Sequence, residues 1–348
     1  MTKRSTRPRS VLATLVGLPL AAAAGWIGYS ALLVPHRLRL PPALSGDRRE
    51  FAGKAGRLSY YCNGPEPGSE PLLLIHSINA AGSAYEVRPL YEHYRKSRMV
   101  YALDLPGYGF SERDDRDYTP RLMTDAIHSM MAEIQRMHGD APIDVLALSL
   151  SSEFLARAAS EAPTAFRSVA LVSPTGFNQG TPEYAPPGRT RGRPALRNTF
   201  TFPLWSRAFF DLLTSRPSIR YFLKKTWGSK QIDEGLLEYD YLTTHQPGAQ
   251  HAPYSFVSGF LFSLDIHRIY QSLTGRVWMA HGMRGDFTDY SRVGDFRTKL
   301  NWTIQVFKTG ALPHFEVLDE FTRSYDAFLA GDPQRIARST NRAPSATR

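Results

Sequence analysis

The feature that most constrains this chain is a series of short apolar runs, each followed by an amphipathic stretch. "PLLLIHS" (Pro71–Ser77), "RMVYALD" (Arg98–Asp104), "IDVLALS" (Ile143–Ser149) and "RSVALVS" (Arg167–Ser173) have the length and character of buried strands. Between and after them, 84–94, 121–137 and 150–162 carry apolar residues at helical spacing. Strand, helix, strand at this rhythm predicts an α/β fold, with a mostly parallel central sheet and helices on both faces. An earlier strand is expected in "RLSYYCNG". The rhythm breaks after Phe177 and resumes with "RVWMAHG" (Arg276–Gly282), "WTIQVFK" (Trp302–Lys308) and a last helix over 315–329. The core is therefore placed at 55–177 and 275–331, interrupted by an aromatic-rich helical insertion at 178–274.

The two ends of the chain read differently. Lys3, Arg4, Arg7 and Arg9 precede an uncharged stretch, Val11–Val34. At about 1.5 Å per residue this reaches roughly 36 Å, enough for a hydrocarbon core of about 30 Å. Trp26 and Tyr29 fall toward its far end, where interfacial anchors are found. The expectation is a single-pass transmembrane anchor over 11–34 that contacts membrane lipid, with a cleaved signal peptide as the rival reading. Arg37, Arg39, Arg48 and Arg49 balance the N-terminal positives, so the orientation leans only weakly to an extracytoplasmic body. A basic, proline-containing linker is expected at 35–54 and a disordered basic tail at 332–348. The net charge of +10 is spread along the chain without a nucleic-acid-binding motif, so no nucleic acid partner is expected. Cys62 is the single cysteine, which excludes internal disulfides and thiolate metal sites. No cofactor or metal is expected, because the histidines have no ligand spacing and no phosphate-binding loop is present.

Ligands of such sheets sit at the carboxyl ends of the strands. The residues falling there include His76-Ser77-Ile78-Asn79, Asp104 with the glycines that follow it, Ser149, Asp286 and His314. Ser, Asp, His is the chain order of one known catalytic triad. The stretch "LLLIHSINAAGSAYEVRPLYEHYRKSRMVYALDLPGYGFSER", with its D-x-P-G-x-G-x-S pattern, resembles the α/β-hydrolase superfamily, serine hydrolase type with a cap domain. The resemblance covers 57–177 and 276–329, and the insertion resembles the cap, or lid, of many members.

The resemblance implies a site residue by residue. Ser149 would be the nucleophile, His314 the base that takes its proton, and Asp286 the acid that orients the imidazole. The backbone N–H groups of Ile78 and Leu150 would form the oxyanion hole. His76 and Ser77 would support that turn. The implied activity is a membrane-anchored esterase, thioesterase or amidase acting on a small hydrophobic acyl substrate, with cap aromatics such as Phe200, Phe202, Trp205, Phe209, Phe210, Phe256, Phe260 and Phe262 as candidate pocket residues. A carbon–carbon bond hydrolase would use the same triad.

Other readings stay open. Ser149 is also a good helix cap, and its flanking small residues are Ala147 and Ser151 where the family prefers glycine. Asp289 is an alternative to Asp286. Aligned on Gly310 and Glu316, Ala311 occupies the usual histidine position and His314 falls three residues late. These substitutions, with Ser77, support a rival of another class, a catalytically silent binding or scaffold protein.

Overall fold

The computed structural model describes residues 9–65, 70–285 and 289–331, with side chains from residue 20 onward. The tail at 332–348 and Asp286 lie outside the described residues.

Among the described residues there are eight strands, in chain order β1 (Asp47–Gly53), β2 (Gly56–Asn63), β3 (Leu72–Ile75), β4 (Val100–Asp104), β5 (Ile143–Leu148), β6 (Phe166–Val172), β7 (Val277–Gly282) and β8 (Trp302–Phe307). They form one sheet in the order β1-β2-β4-β3-β5-β6-β7-β8. β2 runs antiparallel to β1 and β4, and the other pairs are parallel. Side chains alternate between the two faces along a strand, and here both faces are covered. Leu73, Ile75, Val145, Ala147, Val169 and Leu171 enter one core cluster, whereas Leu72, Leu74, Leu146, Leu148, Ala170 and Val172 enter the other.

The helices are α1 (Arg9–Leu33), α2 (Arg88–Tyr94), α3 (Pro120–His138), α4 (Ser151–Glu161), then α5 (Pro194–Phe200), α6 (Ser206–Leu213), α7 (Arg216–Trp227), α8 (Glu234–Thr244), α9 (His251–Val257) and α10 (Ile266–Ser272). The last two are α11 (Pro313–Glu316) and α12 (Leu318–Leu329). α5 to α10 all lie between β6 and β7, inside the expected insertion. The chain leaves β3 toward β4 on one side and returns to β5 on the other. The crevice at this switch point, beyond the carboxyl ends of β3 and β5, is where such sheets bind ligands.

Two expectations are corrected. The stretch 35–54, expected to be linker, contains β1. Its sequence, "DRREFAG", lacks an apolar alternation because β1 is an edge strand, paired on one side with β2. Arg48 and Arg57 both pair with Glu50 along that edge, the charged dressing by which edge strands resist further pairing.

The single-pass transmembrane expectation is also overturned: among the described residues no helix is long and apolar enough to cross a membrane. The part of α1 with described side chains is 20–33. That part lies against α6. Trp26 Nε1 donates to the Ala208 carbonyl at 2.7 Å, and the buried Ser30 hydroxyl donates to Asp211 at 2.6 Å. His36 Nε2 meets the same carboxylate at 2.8 Å. Trp26 and Ser30 thus find their hydrogen-bond partners within the protein.

The sheet also encloses a charged cluster. Asp144, fully buried at the start of β5, accepts from Arg98 Nη2 at 2.7 Å, from Arg167 Nε at 3.0 Å and from the Ser168 hydroxyl at 2.5 Å. Removing one member of a buried ionic group leaves the others uncompensated. Asp144→Ala is expected to lower unfolding free energy by about 3–5 kcal/mol, read from urea denaturation.

Candidate active site

β5 is wholly buried and apolar apart from Asp144, and it delivers Ser149 at a fixed place. Ser149 is left-handed, with φ 51°. A non-glycine residue pays about 1–2 kcal/mol for that conformation, and such strain concentrates at functional sites. The turn is pinned because Ser149 N–H donates to the Val172 carbonyl at 2.8 Å, while the Ser149 carbonyl accepts from Ser152 N–H at 3.0 Å. α4 can therefore start two residues after the serine. Ala147 and Ser151 are fully buried where the chain must be small, and Ser151 uses its hydroxyl to bond the His76 carbonyl at 2.6 Å. Ser149 itself lines a cavity of about 240 Å³, together with Ser173, Pro174, Thr175, Gly176, Phe177, Asn178, Arg191, Phe262, Asp289 and Tyr290.

The turn after β3 is fixed by His76 and Glu86. His76 Nδ1–H donates to the Ser77 carbonyl at 2.6 Å, and Nε2 accepts from Leu105 N–H at 3.0 Å. This ring is fully buried, which pushes its pKa down to about 4 and keeps it neutral. Glu86, also buried, accepts from Ser77 N–H at 2.7 Å, the Ser77 hydroxyl at 3.0 Å and the Asn79 amide at 2.6 Å. Burial raises its carboxyl pKa, and the Ser77 and Asn79 bonds partly offset that. The N–H groups of Ile78 and Leu150 donate to no protein acceptor among the described residues.

His314 sits on α11 and is fully buried. Its ring contacts Phe315 and Phe321, and Nε2 donates to the Glu86 carbonyl at 2.8 Å. Nδ1 is buried without a partner, and burial pushes the pKa down to about 4. Among the described residues no hydrogen bond joins His314 to Ser149. Ala311 is tied to the cavity wall through its carbonyl, which accepts from the Ser173 hydroxyl at 2.6 Å, and Ser173 shares the cavity with Ser149. Asp289 is exposed on the cavity wall, and the bond it accepts from Ser291 N–H, 3.1 Å long, holds its carboxyl below the usual range.

Sequence reasoning passed over several residues of this site. Ser173 is the second left-handed serine, with φ 48°, at the end of β6. Its signal was available, since "VSPTG" ends a strand in serine as "ALS" does. His281 stacks on Tyr290 at 3.9 Å and carries a buried, unpartnered Nε2. Arg191 comes from the insertion, and no sequence pattern marks it. Of the eight aromatics named as candidate pocket residues, Phe262 alone lines the Ser149 cavity. Phe200, Phe209 and Phe210 pack with Tyr254 in a small cluster of their own, and Phe202 stacks near an exposed Trp205.

A serine on a left-handed turn between a buried strand and a helix, in a sheet of this order, defines a class. The family model for the α/β hydrolase fold matches residues 70–251, and the chain belongs to that family. A curated relative, the dihydrolipoyllysine-residue acetyltransferase component of an acetoin cleaving system from Cupriavidus necator, is 33% identical over 139 residues, 38% of this chain. The chain spans 31% of that relative's length. A serine hydrolase involved in carbazole degradation superposes with a TM-score of 0.63 at 13% identity, covering 82% of this chain and 99% of the other. A bacterial membrane phospholipase A gives 0.60 at 17% identity, covering 93% and 99%. A meta-cleavage product hydrolase from Pseudomonas fluorescens gives 0.60 at 16%, covering 81% and 97%. At these identities the superpositions speak for the fold.

Behind the cavity wall, Glu153 is buried, with its carboxylate accepting from Thr175 Oγ1 at 2.6 Å and from Ser263 N–H at 2.9 Å. Burial raises its pKa from 4.5 to about 7. The folded state then binds a proton more tightly than the unfolded state, so this group's contribution to stability grows as pH falls from about 7 toward 4.5. Relative to wild type, Glu153→Gln is expected to be more favourable at pH 8 than at pH 4.5, by on the order of 1–3 kcal/mol in chemical denaturation.

Proposed function

We propose that this chain is a serine hydrolase acting on an acyl ester, thioester or amide. The observation that carries the reading is the left-handed Ser149 at the β5–α4 turn, its side chain on a cavity wall. Ser149 Oγ attacks the acyl carbonyl carbon and loses its proton to a histidine. The carbonyl oxygen becomes negative and is met by the free N–H groups of Leu150 and Ile78, each worth about 3 kcal/mol to such a transition state. The intermediate collapses as the histidine returns the proton to the leaving alcohol, thiol or amine. Water, deprotonated by the same histidine, then attacks the acyl-serine and releases the acid and the free hydroxyl.

His314 serves as base once its Nε2 leaves the Glu86 carbonyl, and Asp286 orients it. A base with a pKa near 4 stays neutral down to that pH, so the acid limb of kcat/KM is expected near pH 4 and not near 6.5. A second reading, a silent ligand-binding member of the fold, is favoured by Ala311 at the usual histidine position and by the bond between His314 and Glu86.

Labelling with a fluorophosphonate separates the two. The hydrolase reading expects labelling of wild type, none in Ser149→Ala, and a loss of at least about 10²-fold in labelling rate in His314→Ala. Labelling that survives His314→Ala but fails in His281→Ala would move the base to His281. No Ser149-dependent labelling would sink the hydrolase reading.

A further inference from the structure

The Ser149 cavity carries a cation, and its wall is more polar than an acyl-chain pocket requires. Arg191 lines it alongside Ser149, Ser173, Thr175 and Asn178. The guanidinium is steadied from two sides. Its Nη2 donates to Thr181 Oγ1 at 3.1 Å, and its carbon lies 5.9 Å from the centre of the Phe262 ring. The Thr181 hydroxyl in turn bonds the Asn178 side chain. The backbone of Arg191 is held as well, its N–H donating to the Phe262 carbonyl at 3.1 Å.

Among the described residues Arg191 forms no ion pair with a carboxylate, whereas the other buried or half-buried carboxylates nearby are engaged. Glu153 is bonded to Thr175 and Ser263, and Asp265 is paired with Arg157 at 2.8 Å. Asp289, the acidic group among the described lining residues, is exposed and accepts from Ser291 N–H. A fixed guanidinium with donors to spare, in a partly enclosed site, matches the fork geometry of a carboxylate.

We propose that Arg191 binds a carboxylate on the substrate, so that the cavity accepts a short acyl compound bearing an anionic group, with its reacting carbonyl at Ser149. This rests on the hydrolase reading and specifies its substrate class. A volume of about 240 Å³ falls below the range of roughly 300–1,000 Å³ usual for drug-sized ligands, which restricts the substrate to a short chain. The net charge of +10 draws anions toward the protein. Arg191 is a specificity residue: it touches the substrate away from the bond that breaks.

The test compares two esters of the same succinyl chain, p-nitrophenyl hydrogen succinate and its neutral methyl ester. Wild type is expected to favour the carboxylate by about tenfold or more in kcat/KM, the ratio collapsing toward one in Arg191→Gln and staying intermediate in Arg191→Lys. A second arm uses calorimetry on Ser149→Ala, which needs no turnover. Monomethyl succinate is expected to bind at least about tenfold more tightly than dimethyl succinate, and adding Arg191→Gln to remove that difference. Binding with this pattern but no turnover of either ester supports the anion site and removes the hydrolase reading. Equal binding of the two succinates, or a preference that persists without Arg191 in a variant that melts as wild type does, overturns the proposal.

Discussion

The interactions of His76 hold three strand ends in one geometry, and the candidate site depends on them. Its ring bonds its own turn through the Ser77 carbonyl and the chain after β4 through Leu105 N–H, while its carbonyl receives the Ser151 hydroxyl from the first turn of α4. The ring can do this only as one neutral tautomer, and full burial enforces that state. Asp104 adds a second tie, accepting from Ala84 N–H at 2.9 Å and Phe110 N–H at 3.0 Å. The loop can approach that carboxylate because Gly109 is left-handed, and a Cβ there would fall 2.0 Å from the Asp104 carboxyl carbon. These ties place the Ile78 and Leu150 N–H groups at adjacent strand ends, where β3 and β5 pair.

The same frame separates two polar regions. On one side Glu86 gathers Ser77 and Asn79, and its backbone carbonyl holds His314. On the other, Ser149 and Ser173 share a cavity with Arg191. Both serines are left-handed, and both end strands that are neighbours in the sheet. Ala311 joins this second region through its carbonyl, with no imidazole to offer. The loop that carries it is fastened from elsewhere: Ala311 N–H donates to Thr226 at 2.9 Å and Gly310 N–H to Glu316 at 2.7 Å. His314 is buried in that arrangement, with its Nε2 on the Glu86 carbonyl.

Much of the sheet was legible in the sequence because strands buried on both faces are almost wholly apolar, as "LLLI" is and as "IDVLAL" is apart from the paired Asp144. The turn at Ser149 was legible from its place between such a strand and an amphipathic stretch. β1 was not, since an edge strand is specified by its partner's backbone and its own charges read as linker. The N-terminal stretch misled for a related reason: hydropathy counts apolar residues without asking whether Trp26 and Ser30 have partners in the protein, and here they do. Arg191 escaped because it reaches the cavity from an insertion whose path no local pattern encodes. The direction in which His314 points was likewise hidden, because it depends on a contact 228 residues away in sequence.

The central claim is that Ser149 is a nucleophile that carries the acyl group. It is tested most directly by mixing the protein with an activated short-chain aryl ester, quenching in acid, and locating any adduct by intact-mass and peptide mass spectrometry. The account predicts one acyl group, on the peptide that contains Ser149, and none in Ser149→Ala. An unmodified protein, or an adduct that maps elsewhere and persists in Ser149→Ala, would contradict it.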